Sequence, residues 1–157
     1  MTERFIRRTV EINAPAGTLW KILTDNEFIP QYMFGCNAET DWKPGSPLLW
    51  KGATDDKLYV KGEVVTFEAR RLLEYTVIDP NNQALADIPE NYLMMSFIVS
   101  ERAGNASTLE IKQGDFTAVA NGEQRYNDTV GGDDFVLVGI KSWPRRRRSI
   151  KAILICE

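Results

Sequence analysis

The run Leu58-Tyr59-Val60-Lys61-Gly62-Glu63-Val64-Val65-Thr66-Phe67 decides the fold, together with Leu72-Leu73-Glu74-Tyr75-Thr76-Val77-Ile78, which follows Glu68-Ala69-Arg70-Arg71. Both segments are rich in β-branched and aromatic residues, which suit a pleated, half-buried surface. Two strands joined by so short a connection pair antiparallel. Residues two apart in a strand share a face. Leu73, Tyr75 and Val77 therefore point together, as do Leu58, Val60 and Val64.

Outward from this pair, turn signals stand at Lys43-Pro44-Gly45-Ser46-Pro47, Thr54-Asp55-Asp56-Lys57, Asp79-Pro80-Asn81-Asn82 and Ala103-Gly104-Asn105. They bound further strands over residues 48–51, 92–101 and 108–116. Residues 4–12 alternate imperfectly with period two and make a first strand. The expectation is an antiparallel meander of about six strands. Its inward rows also include Leu48 and Trp50, then Met95, Phe97 and Val99, then Leu109, Ile111 and Gln113.

Between the first strand and the meander lie two short helices. Asn13-Ala14-Pro15 stops the strand, and Pro15 suits a first helical turn, where its missing N–H costs nothing. Leu19, Ile22 and Leu23 then give one apolar face. Asp25 or Asn26 caps a second helix carrying Phe28, Ile29 and Tyr32, limited by Pro30. Near the C-terminus, Asp133-Asp134, an apolar run over 135–140 and Lys141 place acids first and a base last. That order complements a helix macrodipole and predicts a helix over 130–142, ended by Pro144. Four arginines at 145–148 and an apolar stretch over 150–155 follow; residues 145–157 are expected to contribute little to folding.

The 157 residues fit one domain, with 43% hydrophobic and 26% charged residues, an ordinary globular balance. A net charge of −3 argues against a general nucleic-acid binder. No apolar run approaches the roughly 20 residues that span a bilayer, and the N-terminus lacks an apolar signal segment, so a cytoplasmic location is expected. The chain has no histidine, which removes Ser-His-Asp and Cys-His mechanisms and imidazole-bound metals. Its two cysteines, Cys36 and Cys156, cannot make a four-cysteine zinc site and read as packing residues. The carboxylate pairs Asp55-Asp56 and Asp133-Asp134 stand in a turn and at a helix start, where Asp serves local hydrogen bonds. No metal and no other cofactor is expected.

Several stretches carry a resemblance. Arg8-Thr9-Val10-Glu11-Ile12-Asn13-Ala14-Pro15 followed by Leu19-Trp20-Lys21-Ile22-Leu23-Thr24-Asp25 resembles the opening of the heat-shock-protein-90 ATPase activator homologues. So does Asp41-Trp42-Lys43-Pro44-Gly45-Ser46 before a strand with Trp50, and Val60-Lys61-Gly62-Glu63-Val64 leading to Arg71-Leu72-Leu73-Glu74-Tyr75-Thr76. The likeness covers about residues 5–142. It implies an α+β helix-grip fold of the START and pollen-allergen-like superfamily, with a curved antiparallel sheet wrapped around a long C-terminal helix. A ligand cavity usually lies between them. The chain departs from the family where Gly131-Gly132-Asp133 replaces a Gly-Trp pair, and where Trp143-Pro144 and the arginines break the helix pattern. A domain over 1–143 and an atypical basic and apolar tail over 144–157 follow; the tail fits either an altered reading frame or a lineage-specific extension.

On this packing, Tyr32, Phe34, Trp50, Tyr75, Met95, Phe97, Ile111, Gln113, Phe135 and Val138 line the cavity. Tyr32, Tyr75 and Gln113 would supply orienting polar groups. The same residues could equally fill a plain core, because buried apolar residues are mostly packing. The leading expectation is a module that binds a small hydrophobic molecule, a lipid or an aromatic metabolite, and is not an enzyme. One alternative is an aromatase-, cyclase- or dehydratase-like enzyme using a pocket carboxylate or tyrosine. Against it, no carboxylate falls on the predicted inward rows. Another is a co-chaperone-type module that binds a chaperone partner, which needs an exposed apolar patch on the outer face, where Lys61, Glu63, Glu74, Glu110 and Lys112 read as solvated. A weak homodimer is compatible with each.

Overall fold

The computed structural model describes residues 4–33 and 35–131. Seven strands form one antiparallel sheet: β1 (Ile6–Ile12), β2 (Cys36–Glu39), β3 (Pro47–Gly52), β4 (Leu58–Glu68), β5 (Leu72–Val77), β6 (Leu93–Arg102) and β7 (Ala106–Gly114). Their order across the sheet is β1-β7-β6-β5-β4-β3-β2. Strands β2 to β7 run as a meander, and β1 closes the far edge against β7. Helix α1 (Ala16–Thr24) follows β1, and helix α2 (Gly122–Gly131) follows β7.

The expected alternation is borne out by burial. Leu48, Trp50, Val64, Leu73, Tyr75, Phe97, Val99, Leu109 and Ile111 are all buried on one face, with Ile12, Leu19, Ile22 and Leu23 packed against them. We call this face concave and the opposite one convex. Register shifts between Trp50 and Lys51 and between Val64 and Thr66 interrupt the β3–β4 and β4–β5 ladders. Gly62 lies against the Thr76 backbone so closely that a Cβ there would collide with the carbonyl oxygen.

Three expectations need correction. The strand count is seven, because β2 was too short and too polar (Cys-Asn-Ala-Glu) to announce itself. It forms through tertiary pairing: β3 lies on one side, and the Asn26 amide donates to Ala38 O and accepts from Ala38 N, both at 2.8 Å. The second short helix is a 3-10 turn, Ile29–Gln31, with Pro30 as its second residue. Asp25 accepts from Glu27 N, while Asn26 bonds sideways to β2 and caps nothing.

The C-terminal helix is short among the described residues and begins earlier than its charge pattern suggested. Gly122-Glu123-Gln124-Arg125-Tyr126-Asn127-Asp128 has almost no apolar periodicity, so nothing local signals a helix. Contacts hold it instead. Tyr126 meets Phe116 edge-on at 5.4 Å, Arg4 lies 4.5 Å over the Tyr126 ring, and Arg125 donates to Asn91 O at 2.9 Å. Of the helix expected over 130–142, the part beyond Gly131, and the tail over 144–157, lie outside the described residues.

Candidate functional site

Three strands, β3, β5 and β6, carry an aromatic row into the concave face, with β4 between the first two. Trp50 on β3 sits between Ala38 and Val60, and the small Ala38 leaves room for the indole. Tyr75 on β5 sits between Val64 and Met95, and Phe97 on β6 between Leu73 and Ile111. The Trp50 and Tyr75 ring centroids are 5.5 Å apart, and Tyr75 stacks on Phe97 at 5.8 Å. Such pairs add about 0.5–1.5 kcal/mol beyond area burial. All three side chains are fully buried.

Two atoms in this row lack what burial normally demands. Neither the Trp50 indole Nε1 nor the Tyr75 hydroxyl has a hydrogen-bond partner. An unmet buried donor costs about 1–3 kcal/mol, so a fully packed core would be expected to satisfy or exclude these groups. Burial also drives the Tyr75 hydroxyl far above the usual tyrosine range, so it stays protonated and can serve as a donor.

Tyr32 offers a contrast. It follows the 3-10 turn and is as buried as Tyr75, yet its hydroxyl donates to Leu23 O at 2.6 Å. Leu23 stands in the last turn of α1, where carbonyls lose their helical partners, so Tyr32 closes that helix end. Burial first, and the Tyr75 hydroxyl second, raise Tyr32 well above the ordinary value; the two hydroxyls are near enough to interact.

Of the other expected lining residues, Ile111 is buried, and Met95 and Gln113 are half-buried and paired with each other across β6 and β7. Phe34, Phe135 and Val138 lie outside the described residues. The indole N–H of Trp50 was the polar group that sequence reasoning passed over. It is easily missed, because tryptophan is counted as apolar although every indole carries a donor. A second aromatic group also went unread: Trp20 meets Phe67 at 5.3 Å, and Phe67 meets Trp42 at 5.9 Å.

Charge is sparse on the concave face. Among the described strand residues the one concave carboxylate is Glu101, exposed and paired with Ser107 near the end of β6; Glu11, Glu39, Glu63, Glu74 and Glu110 lie on the convex side. Arg8 shares the concave side of β1, and its guanidinium donates to Arg7 O at 3.2 Å. The remaining buried concave hydroxyl, Ser107, is committed to Ala14 O at 2.7 Å.

The convex face differs from the solvated surface expected. Glu74 is half-buried and accepts from Thr66 at 2.9 Å and Ser96 at 2.8 Å. Asp87 holds both Lys61 and the Tyr92 hydroxyl, which keeps its carboxyl below the usual range. Glu110 pairs loosely with Arg7 at 3.9 Å, and Lys112 lies 4.4 Å over Phe5. A groove of about 410 Å³ runs past Gly62, Val65, Thr76, Asp87 and Tyr92. Val65 and Ile88 are the exposed large hydrophobics among the described residues, too few for a broad apolar patch. In the turn before β4, Asp55 accepts from Lys57 N at 3.0 Å and Tyr59 at 2.6 Å, the local bonding expected there.

No helix among the described residues is long and apolar enough to cross a membrane. The sequence matches the family profile described as Activator of Hsp90 ATPase homolog 1-like protein over residues 13–137. No curated protein matches. Among solved structures, ChR145 from Cytophaga hutchinsonii is 28% identical with a TM-score of 0.69, covering 95% of this chain and 99% of its own. CalU16 from Micromonospora echinospora is 17% identical with a TM-score of 0.70, over 96% and 81%. The Aha1 dimer from Colwellia psychrerythraea is 10% identical with a TM-score of 0.65, over 89% and 95%. At those identities the last two show a shared fold alone.

Proposed function

This chain belongs to the Activator of Hsp90 ATPase homolog 1-like protein family, and from that premise we propose that it binds a small hydrophobic molecule on the concave face of its sheet. The observation that carries the reading is the pair of buried, unpartnered polar atoms, Trp50 Nε1 and the Tyr75 hydroxyl. Apolar walls with a few orienting polar groups are what a small-molecule site needs. The walls here would be Tyr32, Phe34, Trp50, Tyr75, Met95, Phe97, Ile111, Gln113, Phe135 and Val138. Binding would draw on burial at roughly 25 cal/mol per Å² of apolar surface. Both atoms are sealed in the structure, so a ligand reaches them only as the surrounding side chains move apart.

The enzyme reading is weaker on two counts. Among the described strand residues the concave carboxylate, Glu101, is exposed at the far end of β6 and away from the aromatic row, and Tyr75 holds its proton too tightly to be a base. The chaperone-binding reading lacks, among the described residues, the apolar convex patch it needs. A weak homodimer and a cytoplasmic setting complete the proposal.

An apolar fluorescent probe tests it. The folded protein should bind the probe saturably, near one per chain, and native mass spectrometry should find a co-purifying small molecule and report the oligomeric state. A folded protein with no saturable binding would defeat the proposal.

A further inference from the structure

Resting on that reading, we infer that the site selects an uncharged apolar molecule carrying a hydrogen-bond acceptor, such as a ketone, and discriminates against ionised carboxylates. An indole N–H can only donate, and a tyrosine hydroxyl buried in apolar surroundings keeps its proton to donate. Both are unpartnered, on one face, with rings 5.5 Å apart. A carbonyl oxygen has two lone pairs and can receive both donors. The desolvation cost of these donors is already present in the folded protein, so an acceptor recovers it, whereas a hydrocarbon leaves it standing.

Charge sets the second half of the selection. An ionised group buried without a counter-charge is heavily penalised. The concave cation, Arg8, pairs with Ile111, which pairs with Phe97, which pairs with Leu73 on the strand of Tyr75. Three strand spacings separate them, about 14 Å at ~4.8 Å each. A carboxylate resting against Trp50 and Tyr75 would therefore meet two neutral donors and, among the described residues, no concave cation within pairing reach. An ammonium would face donors only; the concave carboxylate among the described strand residues, Glu101, stands four residues along β6 from Phe97, about 13 Å at ~3.3 Å per residue.

Three probes on one skeleton separate the possibilities: 2-acetylnaphthalene, 2-ethylnaphthalene and 2-naphthoate at pH 7, measured by equilibrium dialysis and by the indole N–H resonance of Trp50. The ketone should bind about tenfold tighter than the hydrocarbon, as one or two recovered hydrogen bonds allow, and about tenfold or more tighter than the carboxylate. Tyr75→Phe and Trp50→Phe should each erase part of the ketone's advantage while the hydrocarbon, the control for folding and pocket shape, still binds. Naphthoate binding as tightly as the ketone would overturn the inference. So would equal binding of ketone and hydrocarbon, which would mean that water satisfies the donors or that no ligand reaches them. Either result leaves the binding site itself intact. Failure of all three probes to bind folded protein would instead remove the proposed function, and this inference with it.

Discussion

On the convex side of the sheet, the half-buried carboxylate Glu74 gathers Thr66 and Ser96, Asp87 gathers Lys61 and Tyr92, and Lys51 pairs with Glu39 at 3.2 Å. On the concave side, where burial makes an unmet polar atom more costly, Trp50 and Tyr75 go without partners. The wetter face has the tighter accounting. On the convex face Arg102 Nε is also unmet, but its guanidinium still pairs with Glu11 at 3.8 Å. The polar groups of Trp50 and Tyr75 have no partner at all, which points to a use of the concave face besides folding. That inference is the difference between reading the concave row as packing and reading it as a site.

Substitutions can break or sharpen this contrast. Phe97→Ala carries the largest effect, about 3–5 kcal/mol of unfolding free energy, because the ring is fully buried and stacked on Tyr75. Chemical denaturation measures it; a loss below about 1 kcal/mol would mean the row is loosely packed. Tyr32→Phe comes next, at about 1–2 kcal/mol, since it strips the donor from the Leu23 carbonyl at the end of α1.

Ser96→Ala should cost about 1 kcal/mol by removing a partnered, buried convex hydroxyl. Its concave counterpart, Tyr75→Phe, should be neutral to within about 0.5 kcal/mol or slightly stabilising, because it deletes an atom that bonds to nothing. A clear loss in Tyr75→Phe would show that the hydroxyl has a partner after all, and would collapse the contrast between the faces.

The smallest effect is electrostatic. Lys61 and Tyr92 lower the folded-state Asp87 value beneath the ordinary 3.8. The stabilisation is thus fully present above that ordinary value and is lost as pH falls from it towards the depressed one. Asp87 is exposed and Lys61 half-buried, so screening keeps the gain small. Asp87→Asn should flatten the acid limb of a thermal-stability profile below about pH 4 and leave the neutral region almost unchanged; a large shift at pH 7 would show a structural role beyond the ion pair.

How much of this was legible beforehand depends on the range over which each feature is specified. The four strands β4 to β7 could be read directly, because period-two burial repeats every other residue and turn residues bracket each run. The order and spacing of the soft motifs pointed to the family for the same reason: a whole pattern of local preferences agreed. Strand β2 was hidden because Cys-Asn-Ala-Glu has no strand preference of its own and is held by Asn26 and β3. Helix α2 was hidden because its anchors, Phe116, Asn91 and Arg4, lie outside its own sequence.

The aromatic row itself was written in the chain: alternation alone put Trp50, Tyr75 and Phe97 on the inner face. Which of the buried hydroxyls is spent and which is open was not. Tyr32 and Tyr75 are the same residue in similarly apolar settings. Only the folded chain brings the Leu23 carbonyl to one of them and leaves the other facing rings. A side chain's burial follows from its position in a repeating local pattern, whereas a hydrogen bond needs an acceptor at one distance and angle, supplied by whatever the tertiary fold places there.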